Sequence, residues 1–160
     1  MLLTLIFGYR DRDVDRIERC LHSLAQQTFR DFQVIFVDYG SSSANAEAAR
    51  NVVQKYDFCR YIYSDTRGYP WNRSRALNIG GRLAKAEYVV TSDIDMVFPT
   101  MFLEYVARHV SPKRALYCYP VFLPKGFTDW QNLHKYQDSL PTGGKHSRGG
   151  FFCIDREVFH

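Results

Sequence analysis

No apolar run in this sequence is long enough to cross a membrane. The opening residues also lack the basic stretch and the small-residue cleavage site of a secretory signal peptide. These two absences predict a cytoplasmic protein without a transmembrane segment.

Cysteine is scarce and widely spread. None of the four cysteines belongs to a C-x-x-C pair or has a histidine at zinc-ligand spacing, which argues against a zinc finger. Without a secretory context, we expect Cys20, Cys59, Cys118 and Cys153 to be reduced thiols. Most of them should be buried and pack like small apolar side chains.

The chain has little excess charge of either sign. Its 21 Lys and Arg residues against 17 Asp and Glu residues give a net charge of +4. This balance predicts no nucleic-acid partner but suits a small polyanionic ligand. The G-x-G-x-x-G and G-x-x-x-x-G-K-[ST] motifs are absent, and the Gly80-Gly81 pair falls inside a predicted helix. Dinucleotide-binding and P-loop sites are therefore poorly supported.

Hydrophobic residues make up 46% of the 160 residues, which excludes intrinsic disorder and suffices for one domain over residues 1–160. Apolar runs predict strands over residues 2–7, 32–37, 60–64, 87–92, 115–119 and 149–154. Apolar residues at helical spacing predict helices over residues 14–25, 44–56, 72–86 and 99–109, and more weakly over 129–136. This alternation predicts an α/β fold with a doubly wound, mostly parallel sheet.

Polar side chains follow several of the predicted strands. Tyr9 and Arg10 follow the first strand, Asp38 follows the second, and Asp93 and Asp95 follow the fourth. In open α/β sheets, ligands bind outside the carboxyl ends of the strands. We therefore expect these side chains to meet at one edge of the sheet and to form a ligand site there.

The Asp93-Ile94-Asp95 segment follows a hydrophobic strand. In an extended chain, side chains two residues apart point the same way, so the two carboxylates would lie close together. A divalent cation that also binds a diphosphate would relieve their repulsion, and oxygen ligands suit Mg²⁺ or Mn²⁺. The alternative interpretation is a solvated acidic turn, since D-x-D sequences are common.

Arginines near the same edge are candidates for a phosphate site, because guanidinium groups bind phosphate in a bidentate manner. Arg10 and Arg12 follow the first strand, and Arg73 and Arg75 open the third predicted helix. The alternative for each is an exposed basic face. Asp38 could accept hydrogen bonds from a base or ribose, or could equally be a turn or helix N-cap residue.

Several stretches of the sequence together resemble a known family. They are residues 4–10, 20–24 with 27–29, 37–41, 71–80, 92–95 and 149–154 with 156–159. This set is similar to nucleotide-sugar-dependent glycosyltransferases of the GT-A fold, in particular to family two. The Trp71-Asn72-Arg73 and Asp93-Ile94-Asp95 segments also resemble the β-1,4-galactosyltransferase and chondroitin-polymerase type. The second aspartate of the family's VDDGS motif is Tyr39 here, so only Asp38 inherits a base-contacting role.

The resemblance implies a Rossmann-like nucleotide-diphospho-sugar transferase architecture. It implies inverting transfer of a sugar from a UDP-sugar donor to a carbohydrate or other hydroxyl acceptor, with Mn²⁺ or Mg²⁺, as in polysaccharide biosynthesis. It also implies a set of site residues with distinct roles. These are Phe7, Tyr9 and Arg10 around the uracil and phosphates, Asp38 at the base, Arg73 at the diphosphate, Asp93 at the ribose or donor sugar and with the metal, Asp95 on the metal, and Gly149 and Gly150 beside the donor sugar.

No residue of the chain matches the family's catalytic base. In the family, a segment with a Glu-Asp pair follows the glycine pair, and we expect it to lie beyond His160, in a further domain or a partner chain. The fold would then be shortened at its C-terminus, and this chain alone could be inactive. The alternative is a non-catalytic module that binds a nucleotide-sugar or acts as a scaffold. A nucleotidyltransferase is less well supported, because no glycine-rich basic loop follows the first strand.

Overall fold

The computed structural model describes residues 1–120, 122–129, 132, 135 and 150–159. Strands and helices alternate along the chain, as the hydrophobic pattern predicts. The strands are β1 (Leu3–Tyr9), β2 (Phe32–Tyr39), β3 (Cys59–Ser64), β4 (Tyr88–Ser92), β5 (Leu116–Tyr117) and β6 (Phe151–Asp155). The helices are α1 (Val14–Ala25), α2 (Ser43–Val53), α3 (Arg73–Leu83), α4 (Phe102–His109) and α5 (Arg156–Phe159).

The strands form one six-stranded sheet in the order β3-β2-β1-β4-β6-β5. Strands β1 to β4 are paired in parallel, whereas β6 runs antiparallel to both of its neighbours. This confirms the predicted α/β fold with a mostly parallel sheet. From β1 the chain first adds β2 and β3 on one side and then places β4 on the other. The strand order therefore reverses at β1.

Helices cover both faces of this sheet because successive side chains of β1 point to opposite sides. Leu5 and Phe7 are fully buried on one face, in a cluster that also contains Ile17 and Leu21 of α1. Ile6 is fully buried on the other face, among residues of α3. The two apolar clusters account for the doubly wound arrangement.

The Gly80-Gly81 pair lies inside α3, and each glycine permits a close packing contact. A Cβ added to Gly80 would lie 2.3 Å from Cγ2 of Ile6, and one added to Gly81 would lie 2.2 Å from the ring of Phe159. The pair thus lets α3 approach β1 and α5. Packing, and not phosphate binding, explains these two glycines.

The ends of several elements differ from the prediction. Strands β1 and β2 each run two residues further, because Tyr9 pairs with Asp38 at the end of their ladder. Helix α4 begins at Phe102, whose backbone N–H donates to the carbonyl of Pro99 in the preceding turn. Strand β5 is shorter than predicted. Most of the predicted helix over residues 129–136 and the predicted strand start at Gly149 lie outside the described residues.

The four cysteines are free thiols, as predicted. Cys20 and Cys153 are buried, and Cys59 and Cys118 are half-buried. Burial raises the pKa of each thiol, to about 12 for Cys153. All four therefore stay protonated and unreactive near neutral pH.

Within the part of the chain that the structure describes, no helix combines the length and apolar character needed to cross a membrane.

Candidate functional site

A cleft of about 510 Å³ opens at the carboxyl ends of β1 and β4. It lies where the strand order of the sheet reverses, which is the usual ligand position in an open α/β sheet. Charged side chains dominate its lining, which also includes a tryptophan, a tyrosine, a glycine and an isoleucine. The lining residues are Gly8, Tyr9, Arg10, Asp11, Arg12, Arg16, Trp71, Arg73, Asp93, Ile94 and Asp95.

Each carboxylate of the Asp93-Ile94-Asp95 segment is paired with an arginine from a different helix. Arg73, the first residue of α3, places Nε and Nη2 each 2.9 Å from Oδ1 of Asp93. Arg16, in the first turn of α1, places Nη1 3.1 Å from Oδ2 of Asp95. All four side chains are between 46% and 48% exposed. Ion pairs this exposed contribute at most about 1 kcal/mol each, so a ligand can displace them.

The path of the chain through this segment differs from the prediction. Strand β4 ends at Ser92, and the backbone N–H of Met96 donates to the carbonyl of Asp93 across 3.2 Å. Asp93, Ile94 and Asp95 therefore form a turn, and the expected alternation of an extended chain does not apply. The turn nevertheless presents both carboxylates to the cleft.

Gly150, the residue just before β6, supports this turn. Its carbonyl accepts hydrogen bonds from the Ser92 hydroxyl and, across 3.3 Å, from the backbone N–H of Asp93. The φ angle of Gly150 is +79°, a conformation that favours glycine, and a Cβ there would lie 2.8 Å from the sulfur of Met96. Gly150 thus positions Asp93 and does not itself line the cleft. Gly149 lies outside the described residues.

Asp11 fixes the loop that carries Arg10 and Arg12. Its carboxylate accepts hydrogen bonds from the backbone N–H of Ser42 at 2.9 Å and from the side-chain amide of Asn45 at 2.8 Å. These contacts lower the pKa of Asp11, with the Asn45 hydrogen bond as the largest cause. Asp11 also has a φ angle of +48°, which is uncommon for a residue other than glycine. The loop is therefore held firmly against the start of α2.

The three residues predicted to frame the base and phosphates have different positions. Arg10 lines the cleft and donates from Nη1 to the carbonyl of Tyr69 at 2.7 Å. Tyr9 also lines the cleft, although its ring is almost entirely buried and its hydroxyl donates to the carbonyl of Arg12 at 2.7 Å. Phe7 is fully buried in the core and does not reach the cleft, because it lies deep within β1.

Asp38 does not lie in the loop after β2, where its position was predicted. It is fully buried inside the strand. Its Oδ2 accepts from the Tyr61 hydroxyl at 2.7 Å, and its Oδ1 accepts from the backbone N–H of Ser41 at 2.9 Å. Burial, together with this hydrogen bond, raises the pKa of Tyr61. The Asp38 carboxylate is thus occupied within the protein and is absent from the cleft lining, so its contact with a base stays a prediction.

Sequence reasoning missed Arg16 and gave no role to Trp71. Arg16 lies only seven residues after the end of β1, in the first turn of α1. The start of a helix that follows a strand lies at the same edge of the sheet as the end of that strand. This topology could have identified Arg16 as a candidate. Trp71 is 45% exposed, packs edge-on against Tyr39 and lines the cleft beside Gly8. Arg75, in contrast, is an exposed residue of α3 and is not part of the lining.

Among the described residues, no group of three or more His, Cys, Asp or Glu side chains is placed to hold a metal ion. Asp93 and Asp95 supply carboxylate oxygens from one turn of the chain, whereas the third aspartate of the lining, Asp11, accepts hydrogen bonds from Ser42 and Asn45. The arginines contact one oxygen of each carboxylate, and the second oxygen of each has no hydrogen-bond partner in the described part of the chain. Mg²⁺ and Mn²⁺ suit such a site, since hard cations can bind one or two carboxylates and take further oxygen ligands from water and phosphates.

The family comparison agrees with this fold and cleft. Residues 9–159 match the model of glycosyl transferase family 2, so the chain belongs to that family. The fold is of the GT-A type that the sequence motifs resemble.

Two curated relatives match more than half of this chain. The glycosyltransferase GlyG of Streptococcus pneumoniae is 25% identical over 96 residues, which cover 60% of this chain and 31% of GlyG. The uncharacterized glycosyltransferase YibD of Escherichia coli is 28% identical over 89 residues, which cover 55% of this chain and 25% of YibD. The aligned part of the chain thus corresponds to about a third or less of these relatives.

Solved structures of glycosyltransferases share the fold. The mannosyltransferase PcManGT from Pyrobaculum calidifontis, in complex with GDP-Man and Mn²⁺, superposes with a TM-score of 0.68 at 21% identity, covering 98% of this chain and 45% of PcManGT. An active-site mutant of LgtC gives a TM-score of 0.57 at 20% identity, covering 98% of this chain and 58% of LgtC. S. aureus TarS in complex with UDP-GlcNAc gives 0.54 at 23% identity, covering 68% of this chain and 30% of the TarS chain.

Proposed function

We propose that this chain is the donor-binding part of an inverting glycosyltransferase, which transfers a sugar from a UDP-sugar to a carbohydrate or other hydroxyl acceptor with a divalent metal ion. The observation that carries the proposal is the convergence of Arg16, Arg73, Asp93 and Asp95 in one cleft at the point where the strand order reverses. Family membership supports glycosyl transfer. The UDP donor and the inverting outcome follow from the resemblance of the motifs.

The arginines supply the recognition of a diphosphate. Arg10, Arg12, Arg16 and Arg73 come from the β1–α1 loop, from α1 and from α3, so they surround the cleft from more than one side. Guanidinium groups bind phosphate oxygens with paired hydrogen bonds. The lining contains four arginines and three aspartates, so its net charge is positive, which favours an anionic ligand over a neutral one.

Asp93 and Asp95 are the residues that would hold Mn²⁺ or Mg²⁺. When bound, the ion would neutralise charge on the diphosphate leaving group. The complex of PcManGT with GDP-Man and Mn²⁺ supports metal use in a protein of this fold. Asp93 is also proposed to contact the ribose or donor sugar. The proposed place of Gly149 and Gly150 beside that sugar rests on the resemblance of the motifs, since Gly150 is not among the residues that line the cleft.

The aromatic lining offers a surface for the nucleoside. Trp71 is the most exposed aromatic side chain of the cleft, and the other aromatic residue of the lining, Tyr9, is almost entirely buried. Planar rings can stack against a base. Asp38 remains a proposed base contact, although it would have to exchange its hydrogen bond with Tyr61 for one to the ligand.

A second candidate is a module that binds the donor without transferring the sugar. Inverting transfer needs a general base to take the proton of the acceptor hydroxyl, and the family resemblance implies that this base is a carboxylate. The proposal assigns Asp93 and Asp95 to the metal ion, and the third cleft aspartate, Asp11, is held by hydrogen bonds to Ser42 and Asn45. The catalytic base is therefore proposed to come from a segment beyond His160, in the same protein or in a partner.

Isothermal titration of the chain with UDP, with and without Mn²⁺, tests the donor site, and GDP serves as the matched control nucleotide. We expect UDP to bind more tightly with Mn²⁺ than without it, and more tightly than GDP. Absence of UDP binding under both conditions would contradict the proposal. Release of UDP from UDP-sugars in the presence of sugar acceptors separates the two candidates, since the chain alone is expected to show little transfer.

A further inference from the structure

Arg16 is paired with one oxygen of Asp95, a carboxylate that would hold the divalent ion. Its guanidinium lies 3.1 Å from Oδ2 of Asp95, and the two residues belong to α1 and to the turn after β4. We infer that Arg16 is a positioning residue that holds Asp95 in the ligand-free cleft and transfers to the diphosphate when metal and nucleotide bind together. This inference rests on the proposed function and adds a coupling between the two ligands.

The two arginine–aspartate pairs of the cleft are not equivalent. Arg73 contacts Asp93 through two nitrogen atoms, each at 2.9 Å, whereas Arg16 contacts Asp95 through one nitrogen at the longer distance. A single contact between half-exposed groups is the weaker of the two arrangements. The pair formed by Arg16 is therefore the one that a ligand separates first.

The transfer of Arg16 from Asp95 to the diphosphate requires movement of the arginine side chain and not of the backbone. Ile17 and Cys20, which follow Arg16 on α1, are fully buried in the core and anchor the helix. Arg16 stands in the first turn of α1, at the edge of the cleft. Its long, half-exposed side chain can reach a diphosphate by rotation about its own bonds.

The charges make metal and nucleotide binding interdependent. A divalent cation that enters alone approaches both Asp95 and the positive charge of Arg16, so the arginine weakens its binding. A diphosphate gives Arg16 a new anionic partner and releases Asp95 for the ion. Each ligand thus strengthens the binding of the other, and the coupling is reciprocal by linkage.

The test compares the chain with Arg16→Gln and with Arg19→Gln, a matched control on an exposed position of the same helix outside the cleft. Free Mn²⁺ is followed by electron paramagnetic resonance during titration, and UDP binding by calorimetry, each with and without the other ligand. In Arg16→Gln we expect Mn²⁺ alone to bind up to about fivefold more tightly. UDP alone should bind more weakly, and the factor by which each ligand strengthens the other should fall. Arg16→Lys, which keeps the charge, should retain most of that coupling.

The outcomes separate the inference from the proposed function. An affinity for Mn²⁺ alone that is equal in Arg16→Gln, Arg19→Gln and the unchanged chain overturns the role of Arg16, whether or not UDP binds. An unchanged coupling factor in Arg16→Gln overturns it as well. Failure of the unchanged chain to bind UDP with or without Mn²⁺ contradicts the proposed function instead. Urea unfolding of each variant verifies that it is folded.

Discussion

The side-chain amide of Gln27 is fully buried just after α1, and its Oε1 accepts the backbone N–H of Leu103 at 2.8 Å. Leu103 stands in the first turn of α4, whose N–H groups have no partner within the helix. The Nε2 of the same amide donates to the carbonyl of Pro99 at 2.8 Å. One glutamine in the segment after α1 therefore caps α4 and secures the chain that follows Asp95.

Replacing Gln27 should destabilise the fold. In Gln27→Leu, the N–H of Leu103 would remain buried without an acceptor, which costs about 1–3 kcal/mol in the free energy of unfolding. Urea unfolding followed by circular dichroism measures this loss. The neighbouring exposed Gln26 provides the control, since Gln26→Leu should change stability by less than about 0.5 kcal/mol. Equal stability of the two variants would contradict the capping role.

Removing one carboxylate of the cleft should remove the metal effect on nucleotide binding. In Asp95→Asn, we expect UDP to bind with nearly the same affinity with and without Mn²⁺, whereas the unchanged chain should gain on the order of tenfold. The amide keeps the size of the side chain but loses the charge that an ion requires. Calorimetric titration measures both affinities. Asp15→Asn, at an exposed position of α1 outside the cleft, should leave the metal effect intact. A full metal effect in Asp95→Asn would show that the ion binds elsewhere.

The hydrophobic pattern predicted most of the fold because the central strands are buried on both faces. Residues of β1 such as Leu5 and Ile6 are fully buried, so the strand forms a continuous apolar run in the sequence. The strand ends were harder to predict. Strand β2 continues through Asp38 only because Tyr61 and Ser41 supply hydrogen-bond partners inside the protein. These hydrogen bonds offset the cost of burying the Asp38 carboxylate, and the one from Tyr61 joins segments distant in sequence.

Part of the site could be predicted from the order of strands and helices. Arg10, Asp93 and Asp95 each follow a predicted strand, and in a parallel sheet the carboxyl ends of the strands lie at one edge, where the cleft is found. Arg16 was not identified, because its presence there depends on the direction in which the first turn of α1 faces. The burial of Asp38 and Phe7 depends on side-chain packing, which residue type and position do not determine.

Helix α3 should not tolerate a methyl group at Gly80. Alanine is the better helix former, but its Cβ would lie 2.3 Å from Cγ2 of Ile6 in the core. We expect Gly80→Ala to lower the free energy of unfolding by about 1–3 kcal/mol, as overpacked core variants do. Urea unfolding of a double-mutant cycle tests the cause, since Ile6→Ala removes the contacting methyl group. Gly80→Ala should then cost less in the Ile6→Ala background. An equal cost in both backgrounds would assign the effect to another contact.

Tyr9 should make the fold sensitive to alkali. Burial, reinforced by the nearby charges of Asp38 and Asp11, raises the pKa of its phenol from 10.0 to about 12. The unfolded chain therefore ionises first, so this contribution to stability is intact below pH 10 and is lost as the pH rises towards 12. Urea unfolding between pH 8 and about 11.5 should give a steeper decline for the unchanged chain than for Tyr9→Phe. The variant should be less stable at pH 8, because it lacks the hydrogen bond to the carbonyl of Arg12.

Tyr105→Phe, on the exposed face of α4, is the control and should keep the steeper decline of stability with pH. Parallel pH profiles for Tyr9→Phe and the unchanged chain would rule out Tyr9 as the source.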